Sequence, residues 1–339
     1  MENKKLYNIY NREHLSKRLH SEKQNRFTCS FYRYVPLDNL DSLRDNLYEN
    51  LSDLNVLGRI YLAEEGINAQ FSVPQNNWKK LGQLFDSYQY FKDVSIKKAI
   101  QDGTSFLKLK IMIKNEIVAW NLEQSEYDLS KTGKHLNAKE FNEIIEKEDT
   151  ILIDMRNSYE SEVGKFKTAI CPTSKRSKDL INEAKQILKG KENYSIAMYC
   201  TGGIRCEKAS SHFIKKGFKN VFQLKGGIVD YSHQVKEQKI ESKFIGKNFV
   251  FDDRLGERVT DDIIANCHLC NSKSDNHTNC KNDACHLLFI ICDECDEKLL
   301  GCCSTECKEI YELPIHQQRE IRKKFSKKFK NNFRPRVGS

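Results

Sequence analysis

One stretch, Tyr199-Cys200-Thr201-Gly202-Gly203-Ile204-Arg205-Cys206-Glu207-Lys208, constrains the fold more than any other part of this chain. Ser195 to Tyr199 before it is a short apolar run of the kind a buried strand needs, and Ile204 to Lys216 after it has helical spacing. Cys200 therefore sits at a strand-to-helix turn. Paired glycines let such a turn point its N–H groups inward, and the helix N-terminus adds partial positive charge, so an anion at Cys200 is stabilised. A thiolate there has a lowered pKa and serves as a nucleophile. The plain alternative is a buried structural cysteine beside a Gly-rich turn. On the reactive reading Cys200 and Arg205 are the catalytic candidates, and Thr201, Gly202, Gly203 and Ile204 form the anion cradle.

The surroundings extend this turn into an α/β domain. Asn137 with Glu140 three residues later makes a capping-box start for a helix through Ile145, and Ile151 to Asp154 reads as a strand. Ile181 to Leu188 is helical, Val221 to Leu224 is a strand, and Gly226-Gly227 opens a helix to about Val235. Alternation with short loops implies a parallel sheet covered on both faces, with chemistry at the carboxyl ends of the strands, where Asp154 and Cys200 lie. Carboxylates in Tyr159 to Phe166 could pair with Arg156 beside the turn; Asp154 and Arg156 read as structural. Cys206, on the first turn of the helix, either resolves an oxidised Cys200 or packs under the loop.

Upstream, Phe27 to Val35, Val56 to Ala63, Ile67 to Val73, Val94 to Ala99 and Leu107 to Ile113 read as strands. Leu37 to Leu54 and Trp78 to Tyr88 read as helices. The order β-α-β-β-α-β predicts an α+β ferredoxin-like or acylphosphatase-like domain over 27–120, after an N-terminal extension, 1–26. Lys108 and Lys110 share a strand face that is either solvated or a contact for RNA backbone. Glu64 and Glu65 are turn residues, and 121–134, polar and turn-rich, is a linker.

No run of about 18 apolar residues appears and the first residues lack a signal-peptide pattern, so the expectation is a cytoplasmic chain with no membrane contact. Thiols stay reduced there, and thirteen cysteines, an odd number, read as catalytic or metal-binding. Nine lie between Cys267 and Cys307. Cys267/Cys270 and Cys292/Cys295 have the Cys-x2-Cys spacing with which a turn presents two thiolates to one tetrahedral zinc, so 263–312 is a cysteine-rich, structural-zinc segment. His277, Cys280, Cys285, Cys302, Cys303 and Cys307 are candidates for a second site, although adjacent Cys302 and Cys303 cannot easily point the same way. The metal-free alternative is a cluster of reduced or disulfide-bonded cysteines.

The net charge of +9 is concentrated at the end: residues 319–339 hold nine Lys and Arg against one acid, Glu320. Within the tail 313–339, Lys323, Lys324, Lys327 and Lys328 are the candidate RNA-binding residues, since neutralising phosphates releases counterions. A solvated tail is the alternative.

On these residues the chain resembles a family. Ile153-Asp154-Met155-Arg156, the Glu160 region with Gly164 and Phe166, and the Cys200–Arg205 loop resemble the rhodanese domain over about 128–240. That resemblance implies a persulfide carried on Cys200. The Cys-x4-Arg loop is shorter than the five-residue spacing of related phosphatases, which argues against a phosphate ligand. Phe31-Tyr32 through Pro36, Val56-Leu57-Gly58-Arg59-Ile60-Tyr61, Glu65-Gly66-Ile67-Asn68-Ala69-Gln70, Cys200 through Ser210, and Gly246-Lys247-Asn248-Phe249-Val250-Phe251-Asp252 are similar to the bacterial tRNA uridine hydroxylases. This implies oxygen-dependent conversion of the wobble uridine of tRNA to 5-hydroxyuridine, needing Cys200, with tRNA as partner and molecular oxygen as co-substrate. The chain departs from the family pattern after Ala169, where Pro172-Thr173-Ser174-Lys175-Arg176 replaces an expected Phe-Arg pair.

The reading is an oxidoreductase acting on tRNA, with an α/β rhodanese-like domain, an N-terminal α+β ferredoxin-like domain and a cysteine-rich C-terminal segment. Its rivals are a persulfide sulfurtransferase and a catalytically silent RNA-binding adaptor. Neither an electron donor nor an obligate protein partner is implied by any residue pattern.

Overall fold

The computed structural model describes residues 6–22 and 24–328, with side chains through Lys324 on the last helix. The chain forms two compact units: one runs to Ser158 and includes Thr168–Lys243, the other joins Tyr159–Lys167 to the chain from Phe244 onward.

The first unit opens on α1 (Arg12–His20), capped by the Asn11 side chain on the His14 N–H. A five-stranded sheet follows: β1 (Arg26–Tyr34), α2 (Leu40–Asp53), β2 (Leu57–Ala63), β3 (Gly66–Pro74), α3 (Trp78–Ser87), β4 (Lys97–Lys98) and β5 (Leu109–Ile113), in the order β4-β1-β3-β2-β5. The first four strands are antiparallel neighbours, as the ferredoxin-like pattern requires, and β5 adds parallel to β2. Leu47 and Leu51 on α2 and Leu81 and Phe85 on α3 lie one turn apart and are buried. Phe85 meets Phe31 of β1 edge to face at 4.8 Å.

Two expectations change here. The strand expected over Val94 to Ala99 shrinks to Lys97–Lys98, because Asp93 turns the backbone through φ 57° and the Val94 N–H bonds Phe91 O. Residues 121–134, largely exposed or half-buried, form a linker that is anchored at points rather than free. Val118, Trp120 and Leu122 are buried in the second domain's core, and Ser211 accepts from the Asp128 N–H. Polar composition concealed this because the anchoring residues are few and large.

The remainder of this unit is β6 (Lys134–Leu136), α4 (Ala138–Ile145), β7 (Thr150–Asp154), α6 (Ser177–Leu188), β9 (Ser195–Tyr199), α7 (Ile204–Lys215), β10 (Asn220–Leu224) and α8 (Gly227–Gln238). Its sheet, β6-β10-β9-β7, is parallel throughout. The Asn137–Glu140 capping box is present in full. Strands β9 and β7 end side by side, with the Met155 N–H donating to Tyr199 O at 2.8 Å, so Asp154 and Cys200 emerge together.

The second unit takes in most of α5 (Ser158–Glu162), then β8 (Gly164–Phe166), β11 (Phe244–Asn248), β12 (Glu257–Arg258), β13 (His277–Asn279), β14 (Leu288–Ile290), α9 (Asp293–Leu299), α10 (Thr305–Glu312) and α11 (Ile315–Lys328). Strand β8, for which no strand was read from the sequence, pairs antiparallel with β11.

Candidate active site and cysteine clusters

Cys200 directly follows β9 and has no exposed surface, while Thr201 and Gly202 are half-buried. Every carbonyl from Cys200 to Gly203 is held away from the sulfur by a donor of its own. The Ile228 and Val229 N–H groups, at the start of α8, bond Cys200 O and Thr201 O at 3.0 and 3.2 Å. Lys97 Nζ donates to Gly202 O at 2.8 Å, and the Glu207 N–H to Gly203 O at 3.2 Å. With the carbonyls engaged, the Gly203 N–H donates to Cys200 Sγ at 3.1 Å. Glycine is required at Gly203, whose φ is +102°, and at Gly227, where φ is +67° and a Cβ would stand 2.6 Å from Cys200 O and Thr201 O.

Burial alone would raise the Cys200 thiol. The Cys206 thiol, the Arg205 guanidinium and the backbone N–H groups of Cys206 and Gly203 outweigh it and lower the pKa to about 5. Cys206 moves the other way, raised by its own burial and by the neighbouring Cys200 thiolate, so it stays a protonated donor. The structure thus brings Cys200, Thr201, Gly202, Gly203, Ile204 and Arg205 together in one loop, with Arg205 donating to Thr201 Oγ1 at 3.2 Å. Asp154 and Arg156, both fully buried, form a fork below it: Arg156 Nη2 lies 2.7 Å from Asp154 Oδ2, which also accepts from the Tyr199 hydroxyl at 2.7 Å.

The N-terminal sheet reaches the same loop. Tyr32 of β1 donates to Glu207 Oε1 at 3.1 Å, its hydroxyl lying where a Cβ on Gly203 would come within 2.8 Å. His135 and Gln223 hold the Glu207 carboxylate as well, at 2.7 and 3.1 Å, and with Tyr32 they keep it below the usual range despite burial. Lys97 of β4, besides bonding Gly202 O, stands 3.7 Å from Asp230 on α8. One turn along α7, the fully buried Lys208 ammonium pairs with Glu65 at 2.9 Å and Glu116 at 3.4 Å and lies over the Tyr127 ring. Glu65 does lie in the turn between β2 and β3, as read from sequence, and from there it also anchors helix α7. No site role was read for Lys97, Tyr32 or Lys208, although Tyr32 and Lys208 stand in the stretches that resemble the family and Lys208 lies one helical turn beyond Ile204, on the buried side.

In the second unit two groups of four thiols converge. Cys267, Cys270, Cys292 and Cys295 have their sulfurs within 4.8 Å of one another, and so do Cys280, Cys285, Cys303 and Cys307. Contacts of 3.5 Å (Cys270–Cys292), 3.6 Å (Cys285–Cys303) and 3.7 Å (Cys303–Cys307) are near the ~3.8 Å edge of a tetrahedron with Zn–S bonds of about 2.3 Å. The Leu269 and Cys303 N–H groups donate to Cys267 and Cys280 sulfurs. Both groups could hold a metal ion. Of the adjacent pair, Cys303 joins the second group and Cys302 is buried in the small core beside it. His277 is in neither; it packs against Phe249 at 5.0 Å, and burial lowers its pKa to about 4. Along the chain the groups interleave, the first using the first and third cysteine pairs, the second the second and fourth.

Lys323 and Lys324 are exposed on α11, where Arg322 pairs with Asp283 at 3.1 Å. The Lys327 and Lys328 side chains and residues 329–339 lie outside what is described. Among the described residues no helix is long and apolar enough to cross a membrane.

Comparison with known proteins agrees with this layout. Residues 26–117 match the UPF0176 acylphosphatase like domain, 137–234 the rhodanese-like domain and 245–308 the rhodanase C-terminal segment. A solved rhodanese-like domain from Anabaena sp. has a TM-score of 0.27 at 21% identity, covering 33% of this chain and 78% of that one. The tRNA uridine(34) hydroxylase of Leptospira interrogans is 50% identical over 94% of this chain and 87% of its own length. That of Yersinia enterocolitica is 46% identical over 94% and 91%. At this identity and coverage, the chain belongs to the tRNA uridine(34) hydroxylase family.

Proposed function

We propose that this protein hydroxylates the wobble uridine of tRNA to 5-hydroxyuridine, with Cys200 as the reacting residue and molecular oxygen as co-substrate. The observation that carries this reading is an acidic thiol in a loop of inward-facing amides, within a chain about half identical to tRNA uridine(34) hydroxylases along nearly its whole length. Uracil is electrophilic at C6. Addition of the Cys200 thiolate there forms an S–C6 bond and moves the C5–C6 π pair onto C5 and the adjoining carbonyl, making C5 reactive toward oxygen. A wobble base is unpaired in free tRNA, so it can be splayed into a pocket without opening a duplex. Arg205 completes the positive field around the sulfur. A monooxygenation also takes up two electrons and two protons, which an external donor supplies.

The two four-thiol groups are assigned to structural zinc, which would hold together a segment with little core of its own. Lys323, Lys324, Lys327 and Lys328 are assigned to tRNA phosphates. A cytoplasmic location is assigned from the tRNA substrate, and cysteines used as a nucleophile and as metal ligands suit a reducing compartment. The 27–120, 128–240 and 263–312 segments serve in this reading as a positioning domain, a reaction domain and a metal-held brace.

A persulfide on Cys200 would suit the same amide-lined loop, so sulfur transfer is the second reading. Mass spectrometry of tRNA nucleosides after gene deletion separates them: loss of 5-hydroxyuridine supports hydroxylation and loss of a thiolated nucleoside supports sulfur transfer. An unchanged spectrum leaves only an RNA-binding adaptor. Full 5-hydroxyuridine formation by Cys200→Ser would remove the role given to Cys200.

A further inference from the structure

The peptide unit between Gly202 and Gly203 has an anchored end and a working end. It is trans, so the planar unit directs the Gly202 carbonyl and the Gly203 N–H to opposite sides. The carbonyl accepts from Lys97 Nζ at 2.8 Å, and the N–H donates to Cys200 Sγ at 3.1 Å. We propose that Lys97, supplied by the N-terminal sheet, is a positioning residue for Cys200: by gripping Gly202 O it fixes which face of this peptide meets the sulfur.

The chemistry of the loop makes such a grip necessary. A Gly-Gly peptide rotates between two orientations with little steric cost, since neither residue has a Cβ. In the other orientation a carbonyl oxygen would face the thiolate, and a stabilising donor would become a repulsive dipole. The remaining loop carbonyls are held by backbone donors of α7 and α8, elements of the same domain. Of the carbonyls from Cys200 to Gly203, Gly202 O is the one held by a side chain of the N-terminal sheet, and just beyond them Ile204 O accepts from the Tyr34 hydroxyl of the same sheet at 3.3 Å. Nothing lies within 4 Å of where a Cβ on Gly202 would stand, so no side-chain packing at that residue holds the peptide in place of Lys97. A cation on the carbonyl also polarises the amide and strengthens the N–H at its far end.

Lys97 is itself held in place. Its side chain is 12% exposed, Asp230 on α8 lies 3.7 Å away, and the Tyr32 ring is 5.4 Å from Nζ. The charged and titratable groups around this loop are Arg205, Cys206 and Glu207 on α7, Asp230 on α8, and Tyr32 and Lys97 from the N-terminal sheet, of which Arg205 and Cys206 act directly on the Cys200 thiol. Of these side chains, Lys97 is the one that grips the Gly202–Gly203 peptide. The N-terminal domain would then do more than flank the reaction domain: it would set the ionisation of the nucleophile.

The test follows the alkylation of Cys200 by iodoacetamide against pH in the full chain, quantified on the tryptic peptide Glu192–Arg205, which contains no other cysteine. Lys97→Met and Lys97→Gln should raise the midpoint by about one pH unit, a roughly tenfold loss of thiolate on the acid side. Lys97→Arg, which keeps a cationic donor, should restore most of it. A change in access alone alters the plateau rate and leaves the midpoint in place. An unchanged midpoint in both neutral variants, or an arginine variant that behaves like them, overturns the proposal. Should the neutral variants not fold, the native protein supplies the answer: the Gly203 amide nitrogen must shift in NMR with the titration of Cys200, and an amide blind to that titration refutes the arrangement. The importance of Lys97 for turnover rests on the hydroxylase reading, but neither readout needs tRNA or oxygen. Failure here leaves the function standing, and failure of the function leaves this result standing.

Discussion

The Lys208 ammonium, with no exposed surface, lies 2.9 Å from Glu65 Oε2, tying helix α7 to the turn between β2 and β3. A buried pair is weak evidence of net stabilisation, but breaking it leaves the buried ammonium only the longer contact to Glu116 at 3.4 Å. Glu65→Ala should destabilise the protein by about 3 kcal/mol in urea unfolding. Glu65→Gln combined with Lys208→Met should recover much of that loss, and additive losses in the double variant would show that the two side chains are not coupled.

The acidity of Cys200 predicts a pH-dependent contribution to stability. The native thiol ionises near 5 and the ordinary value is 9.0, so between them the unfolded chain binds the extra proton. The contribution is full above pH 9, shrinks as the pH falls through this window and is gone below about 5. Unfolding of native protein and Cys200→Ser across that range should converge toward acid. A constant difference would exclude a native thiolate.

Two glycines of the site should respond in opposite ways to one methyl group. Gly227→Ala forces a Cβ to 2.6 Å from Cys200 O and Thr201 O at a φ of +67°, so it should displace the loop and abolish hydroxylation. Gly202→Ala meets nothing within 4 Å and should fold with native thermal stability. Near-native turnover by Gly227→Ala, measured as 5-hydroxyuridine formed, would contradict the loop geometry.

Metal content offers a direct count. Purified protein should hold two zinc ions per chain, with Cys302→Ser retaining both and Cys303→Ser losing at least one, because only Cys303 stands among the second group of thiols. Equal loss in the two variants would reassign the ligand.

On α11, Lys323→Gln with Lys324→Gln should weaken tRNA binding and reduce the slope of log K against log salt by about 1.5. An unaltered slope places the phosphate contacts elsewhere.

What could be read in advance was local. The apolar run Ser195–Tyr199 is strand β9 residue for residue, the Asn137–Glu140 pair caps α4, and Cys267/Cys270 meets Cys292/Cys295 as the spacing implied. What escaped was the product of long-range packing. Lys97 lies 105 residues from the carbonyl it grips, and Glu65 is 143 residues from Lys208. A charged residue in a strand or turn looks solvated until a distant element closes over it. The segment 121–134 misled for a related reason: its anchors, Trp120 and Leu122, sit beside or just inside a polar stretch, and composition averages them away.

The interleaving of the two thiol groups bears on how the second unit can assemble. Joining Cys267/Cys270 to Cys292/Cys295 closes a loop that encloses Cys280 and Cys285 and draws the chain before Cys303 inward, so the second closure spans a shorter free path than it would alone. Each tie lowers the entropic cost of the other. Limiting zinc should therefore sort the molecules into filled and empty populations with few half-filled ones, and the segment should melt in one step when a chelator removes either ion.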